Sequence, residues 1–331
     1  MPPKHNQPMT HPIRPKIVLL DPLSGSGRER FAALVDPAFE LLMAESYDPD
    51  DQRRLIECAD YAITGQIPVP AQLLKAARRL RLLHKWGVGV DNIDLEAARS
   101  AGITVARLPG SNAIPVAEFT IGLMIALLRN LAWGHAQLKQ GHWGSRNLPH
   151  DSLMLYGRTV GLVGFGAIGQ RVAVLLKAFG CRVLATRRSG APALENDVEI
   201  VALERLLSES DVVSLHCPLN AETAGLIDRN ALQRMKPHAV LINVARGGVV
   251  NERDLHWALK TRVILGAATD VYDIEPLPPE SPLLELDNLV VSPHLAGIAA
   301  DNFQPTISRM LANIKRIERG EPLPEHEQVV P

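Results

Sequence analysis

Two patterns in this 331-residue sequence could do chemistry. One is a short glycine run, Gly164-Phe-Gly-Ala-Ile-Gly169; the other is a set of three reactive side chains well downstream, Arg246, Glu275 and His294. The run has the G-x-G-x-x-G spacing. Gly164 permits a tight turn, Gly166 lets a pyrophosphate approach the backbone, and Gly169 lets helix and strand pack closely, with Phe165, Ala167 and Ile168 between them. A helix beginning there presents unpaired N–H groups and partial positive charge to phosphates. The spacing alone is a weak signal. Here an apolar run (160–163) precedes it, a helix-periodic stretch (170–179) follows, and 182–186 reads as the next strand, which makes the dinucleotide fingerprint specific.

Arg246 ends Leu241-Ile-Asn-Val-Ala-Arg246 and enters a Gly-Gly turn. Glu275 precedes Pro276, and His294 follows Val290-Val-Ser-Pro293. Each lies just after a strand, where open α/β sheets bind ligands. Singly, they read equally well as a surface charge, a loop acid and a partly buried histidine. Together, downstream of a dinucleotide turn, they favour a catalytic site.

The second nucleotide strand is where dinucleotides are told apart. NAD-selective sites end that strand in an acid that binds the ribose 2′-hydroxyl. This one ends Thr186-Arg187-Arg188-Ser189, with no acid. Two guanidiniums and two hydroxyls suit a 2′-phosphate, because the planar arginine fork makes paired, charge-assisted hydrogen bonds. The expectation is NADP(H) in preference to NAD(H).

The elements that must position these groups alternate strand and helix. Strands are expected at 16–21, 61–64, 80–85 and 103–108, with helices at 31–35, 71–77 and 95–100. That pattern argues a parallel, doubly wound sheet, ending at the Pro109-Gly-Ser-Asn112 loop. One long buried helix is expected from Pro115 to about residue 140, with Trp133 and Trp143 in or just past it, available to a second subunit or to the core. Strands at 212–217, 239–244, 264–269 and 289–291 then complete a Rossmann unit. A final amphipathic helix (302–319) is expected to return to the first unit.

Length favours two domains. A formal net charge of -1 suggests neither nucleic acid nor an anionic membrane, and no apolar run is long enough to span a bilayer. The cysteines Cys58, Cys181 and Cys217 have no pairable or metal-like spacing and read as reduced thiols, with no metal site. The first 15 residues lack a hydrophobic signal core and read as a flexible tail of a cytoplasmic protein.

At these residues the sequence resembles the D-isomer-specific 2-hydroxyacid dehydrogenase family, most of all its glyoxylate/hydroxypyruvate reductases. The resemblance covers nearly the whole chain after the tail. It includes Gly87-Val-Gly-Val-Asp-Asn-Ile-Asp94, Asn112-Ala-Ile-Pro-Val-Ala-Glu118, the glycine turn, His216-Cys-Pro-Leu219 and the three later segments. It implies an α/β fold of two doubly wound parallel-sheet domains. One is a flavodoxin-like substrate domain (1–109 and 296–331), the other a Rossmann domain (110–295).

It further implies Arg246, Glu275 and His294 as the catalytic arginine, acid and histidine, in a dimeric enzyme of small 2-oxo/2-hydroxy acids. Val88 and Gly89 would hold the substrate carboxylate through backbone N–H groups, beside Arg246 and His294. Thr120, at the start of the buried helix, would lie near the nicotinamide phosphate. His216, Cys217 and Pro218 would line the adenosine side, with Thr223 and Gly297 as further cofactor contacts. Val244, Ala245 and Asp270 would lie at the nicotinamide, Asp270 accepting from its carboxamide.

Departures from the family pattern narrow the reading. Arg187 stands where NAD-type members carry an acid. Glu275 stands where formate dehydrogenases carry glutamine, which argues against formate oxidation. The chain runs about one helix past His294, so the regulatory domain of many phosphoglycerate dehydrogenases is not expected. Lys85 is expected to be solvated, or else to meet a phosphorylated or dicarboxylic substrate. Two alternatives stay open: a dehydrogenase of a bulkier or phosphorylated D-2-hydroxyacid, and a nucleotide-sensing protein like the corepressors that resemble this family.

Overall fold

The structure is a computed structural model and describes residues 14–143, 147–188 and 193–331. Two compact units result: residues 1–111 with 301–331, and residues 112–300. The expected N-terminal tail falls almost wholly outside the described residues, as does Ser189.

In chain order the first unit contributes β1 (Lys16–Leu19), α1 (Gly25–Ala32), β2 (Glu40–Met43), α2 (Pro49–Glu57), β3 (Tyr61–Thr64), α3 (Ala71–Ala76), β4 (Leu82–Lys85), α4 (Leu95–Ser100) and β5 (Thr104–Ala106). The second begins with α5 (Ala113–Leu128) and α6 (Leu131–Lys139). It continues through β6 (Thr159–Val163), α7 (Ala167–Ala178), β7 (Arg182–Thr186), β8 (Ala193–Glu195), β9 (Val198–Ile200), α8 (Leu203–Glu209) and β10 (Val212–Leu215). It closes with α9 (Arg229–Arg234), β11 (Val240–Asn243), α10 (Glu252–Lys260), β12 (Gly266–Thr269) and β13 (Leu289–Val291). The chain then returns to the first unit as α11 (Ala300–Glu318) and β14 (Gln328–Val330).

The first sheet runs β2-β1-β3-β4-β5-β14, the flavodoxin-like order extended by one strand. Its interior strands are buried on both faces, so they read as continuous apolar runs and still sort by alternation. Ile17, Leu19, Ile63 and Leu82 pack with Phe31 and with Ile307, Met310 and Ile314 of α11; Val18, Ala62 and Leu83 pack with Leu55, Ile56 and Leu74 on the opposite face. Each such aliphatic side chain contributes roughly 1.5–3 kcal/mol. Several of them outweigh the roughly 3 kcal/mol cost of Pro305 inside α11. The second sheet runs β8-β9-β7-β6-β10-β11-β12-β13, which is the Rossmann order with an extra strand at each edge.

Three features depart from the alternation read in the sequence. β14 and β8 pair antiparallel with β5 and β9, so both sheets are mixed at an edge. β2, four half-buried residues, and α2, which buries Gln52, Leu55 and Ile56, are additional to the expected elements. The single long helix expected after Pro115 is two helices bent by 65°. The break is at Asn130, which takes the left-handed conformation (φ 52°) that asparagine tolerates; its side-chain amide donates to His150 O and Ser152 Oγ. Among the described residues no single helix is long and apolar enough to cross a membrane. The three cysteines are free thiols.

A buried polar network ties α11 to the first sheet. His84 is fully buried; its Nε2 accepts from the Asn313 amide (3.0 Å), whose nitrogen also donates to Glu327. Burial pushes the His84 imidazole down to about 4, so the fold holds it neutral. Its contribution is therefore complete above about pH 6.5, where the unfolded histidine is also neutral, and is lost as pH falls through the interval from 6.5 to 4. At roughly 1.36 kcal/mol per unit, about 3 kcal/mol is at stake. Urea unfolding of His84→Gln, which can still accept from Asn313, should show a flatter stability profile than the parent across this interval. Parallel profiles would contradict this account.

Candidate functional site

The glycine turn sits where the strand order reverses, between β6 and β10. Gly164 has φ +104°, and a Cβ there would lie 2.7 Å from the His216 carbonyl group, so only glycine fits. Its N–H donates to Thr186 O, at the end of β7 (2.9 Å). A Cβ on Gly169 would lie 2.3 Å from Gly164 O, whereas one on Gly166 would meet nothing within 4 Å. Gly166 and Ala167 are exposed, Ile168 is half-buried and Phe165 is buried. No side chain caps α7, so its first-turn N–H groups face open space at Gly166. Close packing at the first and third glycines with space at the second is the shape a pyrophosphate requires.

The flanking residues fit the same ligand. His216 shares a hydrogen bond between Nε2 and Ser214 Oγ (2.9 Å), while its buried Nδ1 has no protein partner. Burial pushes this imidazole down to about 3 and the Cys217 thiol up to about 11, so both are uncharged. Pro218 is exposed, and its carbonyl accepts from Thr223 Oγ1 (2.6 Å). At the end of β7, Thr186 is half-buried and Arg187 and Arg188 are exposed. The Arg187 guanidinium grips Glu195 with both nitrogens, 2.6 and 2.9 Å.

The three reactive side chains follow β11, β12 and β13, which are adjacent. Arg246 leaves β11 through Val244 and Ala245, both buried. Asn243 shapes this turn, donating to Arg246 O (3.0 Å) and accepting from Ala245 N (3.1 Å). A Cβ on Gly247 would fall 2.0 Å from the Tyr272 carbonyl carbon, so this glycine lets the Arg246 turn press on the segment that carries Glu275. Glu275 Oε1 accepts from Tyr272 N (3.0 Å), and Oε2 bonds His294 Nδ1 at 2.6 Å. Burial raises the Glu275 carboxyl, but the His294 bond, the Tyr272 N–H and the Arg246 charge outweigh it and leave it below its ordinary range. It is therefore ionised at neutral pH. Among the described residues His294 Nε2 has no protein partner, and the histidine side chain is about one-third exposed. A carboxylate fixing Nδ1 while Nε2 faces outward suits proton transfer.

His294 adopts φ +54°, the left-handed region that side chains other than glycine rarely take. Asp270 holds it there. The Asp270 carbonyl accepts from His294 N (2.9 Å). Its carboxylate accepts from Ser292 Oγ (2.6 Å), Leu295 N (2.8 Å) and Ala296 N (2.8 Å). Asp270 is fully buried, and its carboxylate braces the His294 loop. Gly297, half-buried, follows this loop.

Two expectations change. Thr120 does not start the buried helix, which begins at Ala113; it is fully buried, and its hydroxyl donates to Val116 O (2.7 Å). Lys85 is not solvated. It is buried, and its ammonium donates to Gly65 O and to Asn92 Oδ1 (2.7 Å) within the first unit. Trp86 packs against Phe31 and Phe303, with centroids at 5.8 and 5.6 Å. In the same unit Val88 and Gly89 are half-buried, and among the described residues their N–H groups donate to no protein acceptor. Sequence reading passed over Asn243, Gly247, Tyr272, Ser292 and Glu195. Asn243 and Ser292 stood inside the quoted segments, Asn243 bonding within its own turn and Ser292 to Asp270 elsewhere in the fold.

The family described as "D-isomer specific 2-hydroxyacid dehydrogenase, NAD binding domain" matches residues 121–296. The chain belongs to the D-isomer-specific 2-hydroxyacid dehydrogenase family. A glyoxylate reductase of Korarchaeum cryptofilum is 37% identical over 304 residues, covering 88% of this chain and 91% of that protein. A D-3-phosphoglycerate dehydrogenase of Methanocaldococcus jannaschii is 35% identical over 313 residues, covering 92% of this chain and 58% of its own length. The structure of an NAD-dependent formate dehydrogenase from Staphylococcus aureus, in complex with NAD, aligns with TM-score 0.86 at 29% identity, covering 96% of this chain and 99% of that one. As a D-2-hydroxyacid dehydrogenase the chain is an oxidoreductase of small 2-hydroxy or 2-oxo acids and takes a nicotinamide dinucleotide.

Proposed function

We propose that this dehydrogenase reduces a small 2-oxo acid of the glyoxylate or hydroxypyruvate type to the D-2-hydroxy acid, with NADPH as the preferred reductant. The observation that carries the reading is the 2.6 Å contact from Glu275 Oε2 to His294 Nδ1, which leaves Nε2 outward. A dinucleotide bound at the glycine turn supplies the hydride. His294, protonated, donates from Nε2 to the substrate carbonyl oxygen as negative charge grows there. Glu275, ionised, orients the ring through its bond to Nδ1. Arg246 binds the substrate carboxylate and polarises the carbonyl. In the oxidative direction neutral His294 is the base. Val88 and Gly89 are proposed as backbone donors to the substrate carboxylate, and Asp270 as an acceptor for the cofactor carboxamide that also fixes the His294 loop.

NADPH preference rests on Arg187 and Arg188 at the end of β7, where no acid stands. Comparing kcat/KM for NADPH and NADH over a panel of 2-oxo acids tests both halves of the reading. A strong NADH preference overturns the cofactor assignment. A phosphorylated or bulkier acid as best substrate replaces the first half with the second reading, which the relationship to phosphoglycerate dehydrogenase favours.

A homodimer is also proposed. Leu131, Leu138, Trp143, Met154 and Tyr156 are exposed on α6 and the segment after it, and Trp143 is 85% exposed. So much apolar surface in one stretch is unusual for a monomer. Sedimentation equilibrium showing only monomer at micromolar concentration contradicts it.

A further inference from the structure

We propose that Glu195 is a cofactor-selectivity residue: it neutralises Arg187 and must be displaced by the 2′-phosphate of NADPH. The inference rests on the reading above that Arg187 receives that phosphate. β7 ends beside the glycine turn, through the Gly164 N–H to Thr186 O bond, so Arg187 follows at the adenosine end of the nucleotide site. Its guanidinium is not left to water. Glu195, the last residue of β8, accepts from both terminal nitrogens, at 2.6 and 2.9 Å, in the fork geometry arginine uses for carboxylates and phosphates alike.

The hairpin that carries Glu195 is fixed independently of Arg187. Glu195 pairs across it with Val198, and the two turn residues, Asn196 (φ 49°) and Asp197 (φ 58°), both take the left-handed conformation. That is the signature of a two-residue hairpin turn matched to strand twist. Lys177 of α7 anchors the turn by donating to Asn196 O and to Asp197 Oδ2 (3.2 Å). The Glu195 carboxylate is thus presented to Arg187 by a braced element.

Two consequences follow for the ligand. With NADH, whose ribose carries only a hydroxyl, the Arg187–Glu195 pair stays intact. With NADPH, the phosphate takes over the guanidinium fork and leaves a carboxylate close to a dianion, which costs affinity. Glu195 therefore narrows the gap between the two cofactors that Arg187 alone would open. An ordinary surface ion pair would do none of this.

The test is direct binding, read as quenching of protein fluorescence on titration with NADPH or NADH, in the parent, Glu195→Gln and Arg187→Ala proteins. Glu195→Gln should tighten NADPH about 3- to 10-fold while moving NADH less than about 2-fold, the range expected for releasing a partly exposed ion pair and its like-charge repulsion. Arg187→Ala should selectively weaken NADPH. If Arg187→Ala weakens NADPH selectively but Glu195→Gln leaves the NADPH/NADH ratio unchanged or lowers it, the role given to Glu195 is wrong and the phosphate site stands. If Arg187→Ala leaves that ratio unchanged, the phosphate reading itself is wrong, and the role of Glu195 falls with it.

Discussion

Replacing His294 with glutamine should lower kcat for 2-oxo acid reduction by about 10²- to 10⁴-fold, the range for loss of a positioned general acid, with little change in cofactor affinity. The substitution keeps a polar side chain of similar length next to Glu275 but removes the titratable proton. The loss belongs to kcat because the proton moves only as negative charge develops on the carbonyl oxygen. The companion substitution Glu275→Gln separates orientation from charge. Its amide can still accept from Tyr272 N, as Oε1 does now at 3.0 Å, but it no longer places a negative charge beside the His294 ring. Its kcat should be lower than the parent's. An unchanged kcat would mean that Glu275 does not act on His294 through charge.

Arg246 should show the second large effect. Arg246→Ala should cost about 10³-fold in kcat/KM, shared between KM and kcat, because the guanidinium both holds the carboxylate and meets the developing oxyanion. Lysine at this position should recover only part of it, since an ammonium cannot present a planar fork. Asn243 and Gly247 shape the turn through backbone contacts that truncation of the Arg246 side chain leaves in place, while the bond from its guanidinium to Ala245 O (2.8 Å) is lost. Saturation kinetics with glyoxylate and hydroxypyruvate would measure the split. A change confined to KM would reduce Arg246 to a binding residue.

What the sequence made legible was local. The glycine turn could be read because its requirements are steric and lie within six residues: the positive φ of Gly164 and the contact of Gly169 with Gly164 O. Arg246, Glu275 and His294 could be singled out because each follows an apolar strand. The α/β class could be read from alternation, and the Rossmann strand order agrees with it.

What stayed hidden depends on partners distant in the chain. Nothing near Asp270 announces that its carboxylate takes Leu295 N and Ala296 N, 25 and 26 residues on. The β8–β9 hairpin escaped because its strands are three residues each and its turn, Asn196-Asp197, lacks glycine. Glu195 escaped with it, so the end of β7 looked free of acids when one reaches Arg187 from outside that strand. Lys85 looked solvated because a lysine usually is; only the fold brings Gly65 O and Asn92 to its ammonium. The helix after Pro115 looked continuous because Asn130 breaks it without glycine or proline.

The account depends most on the imidazolium at His294 completing the reduction of a 2-oxo acid. The direct measurement is product analysis: the purified protein, NADPH and hydroxypyruvate, with NADPH oxidation followed optically and glycerate resolved by chiral chromatography. The account predicts one D-glycerate formed for each NADPH consumed, with the rate lost in His294→Gln. Tight NADPH binding with no oxidation in the presence of any 2-oxo acid would contradict it and favour a nucleotide-sensing protein.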